Sequence, residues 1–170
     1  MRTRFRVMSR KAARKHSQRK HIKDCVIISI YDTFDKKNEF ADNPHIKDVL
    51  YMSFDDVSSM DANCMTHKQA HEILSFAKKW AGKVDLLIVH CKAGKSRSSA
   101  ICAAIMRILG YDDREIFINP RYFPNMHCYK LMLKAHYGRY CVRDIRRRAR
   151  MNLCAWYIHR KSLNKFEGHS

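Results

Sequence analysis

The sequence predicts an α/β fold, with a mostly parallel central sheet flanked by helices. Two apolar, β-branched runs, Asp24 to Tyr31 and Val84-Asp85-Leu86-Leu87-Ile88-Val89, have the character of strands covered on both faces. Segments of helical spacing alternate with the strand-like runs, which implies βαβ units. At 170 residues and 46% apolar, the chain can bury one sizeable core, and nothing in it suggests a second.

Each element has its own local reason. Thr3 to Met8 reads as an edge strand with Phe5 and Val7 on one face, and Ser9 can cap a short basic helix reaching about His16. After the strand at Asp24 to Tyr31, Asn43-Pro44 marks a loop before a third strand, Val49 to Phe54. Thr66-His67-Lys68-Gln69 is a capping box opening a helix whose apolar face is Ala70, Ile73, Leu74 and Ala77. Gly82 leads into the strand at 84–89, and Ser98 to Leu109, rich in Ala and Ile and free of Gly and Pro, reads as a helix packed on it. Gly110 ends that helix. A short helix over Asp112 to Phe117 follows, then a break at Asn119-Pro120 and Pro124-Asn125, then a helix from about Met126 to Tyr137. In the last segment Ile145, Ala149, Leu153 and Trp156 at helical spacing stand beside Arg143, Arg146, Arg147 and Arg150, the pattern of a basic amphipathic helix. Residues 1–141 are therefore expected to form one domain, with 142–170 a basic helical extension.

Composition narrows the class. No apolar run approaches the roughly 18 residues needed to span a bilayer, and the basic N-terminus is not followed by the apolar stretch of a signal peptide, so a cytoplasmic protein is expected. Seven cysteines, Cys25, Cys64, Cys91, Cys102, Cys128, Cys141 and Cys154, are odd in number and lack Cys-x-x-Cys pairing, which suits a reducing compartment better than a disulfide frame. Cys102 is expected in the core, and any cysteine close to Cys91 in space could form a protective disulfide with it under oxidation. The formal charge of +18 sits almost wholly at the ends. Residues 1–23 hold ten Lys or Arg and no acid, and residues 142–170 hold eight against two acids. Such ends either solvate the surface or draw polyanions, among them nucleic acid, anionic membrane and phosphorylated acidic substrates.

The chemistry concentrates in His90-Cys91-Lys92-Ala93-Gly94-Lys95-Ser96-Arg97-Ser98. This loop falls between a strand and a helix N-terminus, where unpaired N–H groups and the helix dipole attract an anion. A cysteine there, beside a guanidinium and a histidine, is drawn toward the thiolate and becomes a nucleophile. Arg97 can fold back over the loop and grip two phosphate oxygens, while the N–H groups from Lys92 to Arg97, through Ala93, Gly94, Lys95 and Ser96, surround the rest. Gly94 lets the backbone come close to the ligand. Ser98 can donate to the sulfur and ease its departure, and His90 is expected to orient the loop and help keep the thiolate charged. Gly94-Lys95-Ser96 also resembles the end of a nucleotide-binding P-loop, but that pattern needs a glycine where Val89 stands.

His-Cys-x-x-Gly-x-x-Arg-Ser resembles the signature of the cysteine-dependent protein tyrosine phosphatases, and the short chain is similar to their dual-specificity-like and compact bacterial members. The resemblance implies phosphomonoester hydrolysis through a cysteinyl-phosphate, with no metal or organic cofactor, and a phosphorylated protein as the first expected substrate. Such an enzyme needs a carboxyl group that protonates the leaving oxygen and later activates water. Asp55, Asp56 and Asp61 are the candidates. Related phosphatases are similar in carrying Phe-acid-Asp at the end of the preceding strand with the second acid catalytic, which favours Asp56 in Phe54-Asp55-Asp56. Asp61, closer to Cys91 in sequence, stays a rival.

Other residues carry two readings. Compact bacterial phosphatases are similar in a Pro-Asn near Pro124-Asn125, so Asn125 could shape the rim of the site, although a helix N-cap is its commoner role. His67 and His71, four apart, could share a metal in principle; without a third ligand they read as exposed helix positions. Lys92 and Lys95 make the loop resemble that of phosphoinositide phosphatases, and an RNA 5′-triphosphatase-like activity belongs beside it. The alternative from another class is a catalytically silent phosphate-loop domain whose basic ends hold nucleic acid.

Overall fold

The structure is a computed structural model that describes the chain apart from Met1, His21, Asn38, residues 58–61 and residues 168–170. Four strands, β1 (Arg4–Ser9), β2 (Cys25–Tyr31), β3 (Ile46–Ser53) and β4 (Leu86–Cys91), form one sheet in the order β1-β4-β2-β3. Every pairing is parallel. The expected fold class is thus observed, with β1 at one edge. The helices among the described residues are α1 (Arg10–Ser17), α2 (His67–Trp80), α3 (Arg97–Ile108), α4 (Arg114–Ile118), α5 (Met126–Tyr137) and α6 (Val142–Glu167).

The central strands β2 and β4 are buried on both faces, and strand alternation divides their residues between two cores. Val26, Ile28 and Ile30 of β2, with Leu87 and Val89 of β4, join the larger core under α2, α3 and α5. Cys25 and Ile27, with Leu86 and Ile88, face the smaller core that α1 covers through Ala13. This two-sided burial is why β2 and β4 read as unbroken apolar runs. At α2 the capping box forms as its sequence requires: Thr66 Oγ1 accepts from the Gln69 amide and Gln69 Oε1 from the Thr66 amide, a contribution of about 1 kcal/mol. Gln69 Nε2 also donates to the Ser53 carbonyl at 2.8 Å, fixing α2 against the end of β3.

Only part of the apolar stripe of the last helix packs on the domain. Ile145 is buried, but Leu153 is 60% exposed and Trp156 37% exposed. The residues that pack are instead Ile145, Arg148 and Asn152. Arg148 makes a two-pronged pair with Asp113, which also accepts from Tyr129 Oη at 2.7 Å, and Asn152 Nδ2 donates to the Phe117 and Tyr122 carbonyls. A polar side chain that finds a buried partner outranks an apolar one that faces solvent, and periodicity alone cannot foresee the partner. Among the described residues, no helix is long and apolar enough to cross a membrane.

Candidate active site

In a parallel sheet all strands end on the same edge, and that edge is where sites form. Here β2 delivers Asp32, β3 delivers Phe54, Asp55 and Asp56, and β4 delivers Cys91 to one rim. The chain then turns through residues 92–96 into α3, whose first residue is Arg97. The strand thus runs two residues beyond the apolar stretch expected from sequence, ending on the cysteine itself.

The loop is tightly supported. Gly94 has φ +71° and lies against the end of β1; a Cβ there would come within 2.5 Å of the Ser9 amide nitrogen. Only glycine fits that position. Ser99 Oγ donates to the Lys95 and Ser96 carbonyls, and the Phe123 amide donates to Lys95 from the far side. Ser96, the N-cap of α3, makes no capping hydrogen bond with its side chain, so the first amides of the helix are left facing the loop. Its hydroxyl donates to Asp56 Oδ1 at 2.8 Å instead.

Cys91 is buried, and Ser98 Oγ lies 3.1 Å from its sulfur. Arg97 is only 3% exposed. Its Nη1 donates to the Phe54 carbonyl at 2.6 Å and lies 2.6 Å from Asp32 Oδ1. Its Nε is buried with no hydrogen-bond partner among the described residues, and Asp56 Oδ2 stands 4.0 Å from it. Lys92 extends toward Asp32, 3.6 Å from Oδ2, while Ala93 and Lys95 are exposed. His90 is fully buried, edge-on to Phe40. Burial pushes its pKa down to about 4, and the charge of Arg10 acts in the same direction. The ring is therefore neutral at physiological pH. The expected electrostatic support for a thiolate is corrected to a packing role beneath the loop.

The two described candidate acids are separated by their surroundings. Asp55 turns away: its Oδ1 accepts from the Thr33 amide at 2.7 Å, and that bond holds its carboxyl below the usual range. Asp56 turns toward the loop, where Oδ1 accepts from both Ser96 Oγ and Asn125 Nδ2 at 2.8 Å. Asp61 lies outside the described residues. Asn125 fills both of its readings, capping α5 through Oδ1 while its amide nitrogen holds Asp56. Asp32 was not anticipated; its signal was its place one residue past a buried parallel strand. His67 and His71 are exposed on α2.

An open cleft of about 1040 Å³ adjoins Asp56 and Ser96. Phe123, Tyr140 and Ile145 give it apolar walls, and Lys130 and Arg146 add positive charge.

A family model described as the tyrosine phosphatase family matches residues 7–119, a span that holds β2, β3 and β4, the second half of β1, the loop and the candidate acids. Among solved structures, human DUSP28 shares 19% identity, with 79% of this chain and 92% of that one covered at a TM-score of 0.54. A Tyr-to-His variant of DUSP28 gives 20% identity over 77% and 88% at the same TM-score. At such identities the likeness is one of fold. Among curated proteins none matches the sequence. With its family model spanning more than half of its length, the chain belongs to the tyrosine phosphatase family and is a protein-tyrosine-phosphatase-like hydrolase of phosphoric monoesters.

Proposed function

We propose that the protein hydrolyses phosphotyrosine in phosphorylated proteins through a cysteinyl-phosphate intermediate. The observation that carries this reading is the buried Arg97, six residues after the buried Cys91 at a helix start without a side-chain cap, whose Nε has no hydrogen-bond partner among the described residues. An oxyanion is the natural partner for that combination. In the first step the Cys91 thiolate attacks phosphorus, the sulfur–phosphorus bond forms as the ester P–O bond breaks, and Asp56 gives its proton to the departing oxygen. The amides from Lys92 to Arg97 and the Arg97 guanidinium hold the equatorial oxygens. Water then attacks the cysteinyl-phosphate, Asp56 takes its proton, and Ser98 donates to the departing sulfur. Ser96 and Asn125 keep Asp56 aimed at the loop, and His90 packs under it.

The cleft beside Asp56 suits the polypeptide flanking a phosphoresidue, since it joins aromatic walls to basic side chains that favour acidic neighbours. A polyphosphorylated lipid or RNA end needs charge beyond one phosphate. Lys92, which could supply it, is directed to Asp32. The exposed arginines of α6 add a field that draws acidic partners, nucleic acid and anionic membrane included, toward a protein we place in the cytoplasm.

A panel of phosphotyrosine peptides, phosphoserine peptides, phosphoinositides and triphosphate-ended RNA tests this reading. Phosphotyrosine peptides are expected to turn over fastest, without added metal, with vanadate inhibition and with no turnover in Cys91→Ser. Faster turnover of lipid or RNA moves the substrate class. An inert wild type that binds RNA with steep salt dependence replaces the enzyme by a binding domain.

A further inference from the structure

An arginine that recognises phosphate with two parallel hydrogen bonds must present an edge, either Nε with Nη2 or Nη1 with Nη2, and a flexible side chain does not hold an edge by itself. Arg97 has five N–H donors, and the structure shows how they are divided. Nη1 donates to the Phe54 carbonyl after β3 at 2.6 Å and is ion-paired with the Asp32 carboxylate after β2, also 2.6 Å away. On the opposite side Nε is buried and has no hydrogen-bond partner among the described residues. Arg10 and Arg107 also have a buried Nε without a partner, so what distinguishes Arg97 is that its free donor sits on the first residue of α3, directly after the loop, where an oxyanion can accept from it.

We propose that Asp32 is a positioning residue for phosphoryl transfer: with the Phe54 carbonyl it ties down Arg97 Nη1, so that the Nε–Nη2 edge faces the phosphate held by the loop. The inference rests on the phosphatase reading and adds to it a residue outside the loop. Asp32 reaches Arg97 because β2 lies next to β4 with Ser29 opposite His90, so the two strands deliver Asp32 and the loop to the same rim. Its carboxylate has a second cation, Lys92 Nζ, at 3.6 Å, and it is about one quarter exposed. Asp32 thereby also draws the Lys92 charge to the side of the site rather than over the ligand. The gain belongs to the transition state, since the geometry of the equatorial oxygens changes as phosphorus becomes five-coordinate and a fixed guanidinium matches only one of the two arrangements.

The test compares Asp32→Ala and Asp32→Ser, which remove the carboxylate, with Asp32→Asn, which keeps an acceptor oxygen but no charge. Aryl phosphate kinetics, vanadate inhibition, inorganic phosphate inhibition and thermal melts are measured on each. The expected result is a kcat lower by about tenfold or more in Asp32→Ala, a KM changed far less, and vanadate affinity falling in step with kcat/KM. Phosphate inhibition stays within a few fold, and Asp32→Asn recovers most of the lost kcat. Asp32→Ser decides the matter if Asp32→Ala fails to fold. Wild-type kcat and vanadate affinity in a folded carboxylate-free variant would overturn the inference while leaving the phosphatase reading intact, and so would an Asp32→Asn as impaired as Asp32→Ala, which would make the role one of charge alone. A wild type that turns over no phosphomonoester defeats the phosphatase reading instead; calorimetric titration with vanadate then decides the positioning role, weaker binding in Asp32→Ala supporting it and equal binding refuting it.

Discussion

Arg97 and Arg148 are buried to similar degrees, 3% and 8% exposed, yet they are built for different ends. Arg148 spends both Nε and Nη2 on the two oxygens of Asp113, and Asp113 in turn accepts from Tyr129, so the cluster that joins α6 to α4 and α5 is closed on itself. Arg97 donates from Nη1, while its Nε makes no hydrogen bond among the described residues and has the Asp56 carboxylate 4.0 Å away. A closed network contributes to stability and has nothing left to offer a ligand. An arginine with Nη1 engaged and Nε short of a hydrogen bond carries an unmet hydrogen-bonding demand that an anion can meet.

The comparison is broken most sharply by exchanging the two losses. Arg97→Ala is expected to lower kcat/KM by about 10³-fold, read by aryl phosphate hydrolysis, with the melting temperature changed little. A large fall in stability with near-normal kcat would make Arg97 a second Arg148. Conversely, Arg148→Ala leaves Asp113 as a buried, unpaired acid and is expected to cost about 3 kcal/mol in denaturant unfolding, while the folded fraction keeps its turnover. Next in size, Asp56→Ala should lower kcat by about 10²-fold and flatten the basic limb of the pH profile; a near-normal rate would move the acid role to Asp61 or Asp55.

The smallest effect concerns His90. Its folded pKa, about 4, lies below the unfolded value near 6.5, so the unfolded chain binds the extra proton between those limits. The neutral ring costs nothing above pH 6.5, and stability falls as pH drops toward 4, by roughly 2 kcal/mol at pH 5. His90→Gln should remove that slope from unfolding curves. A slope that persists unchanged would place the proton elsewhere.

What could be read in the chain follows from distance along it. The loop from Cys91 to Ser98, the strand before it and the helix after it are local, and each residue's neighbours in sequence are its neighbours in space. The capping box at Thr66 and the N-cap at Asn125 were legible for the same reason. Asp32 was not, because its meaning depends on β2 lying beside β4, a pairing that no pattern within β2 announces. Nor was the packed face of α6. Leu153 and Trp156 share a helical stripe with Ile145 yet stay exposed, while Arg148 is buried against Asp113 of another element, a partner no local pattern announces. The neutrality of His90 is likewise invisible in the motif, because motif position says nothing of burial, and burial is what lowers its pKa.

The central claim is that the Cys91 sulfur takes the phosphoryl group. It is tested most directly by quenching the wild-type enzyme in acid during turnover of an aryl phosphate and weighing its proteolytic peptides. The peptide containing Cys91 should gain the mass of one phosphoryl group, and Cys91→Ser should show neither that gain nor turnover. Sustained hydrolysis with the Cys91 peptide unmodified, or hydrolysis surviving in Cys91→Ser, would contradict the account.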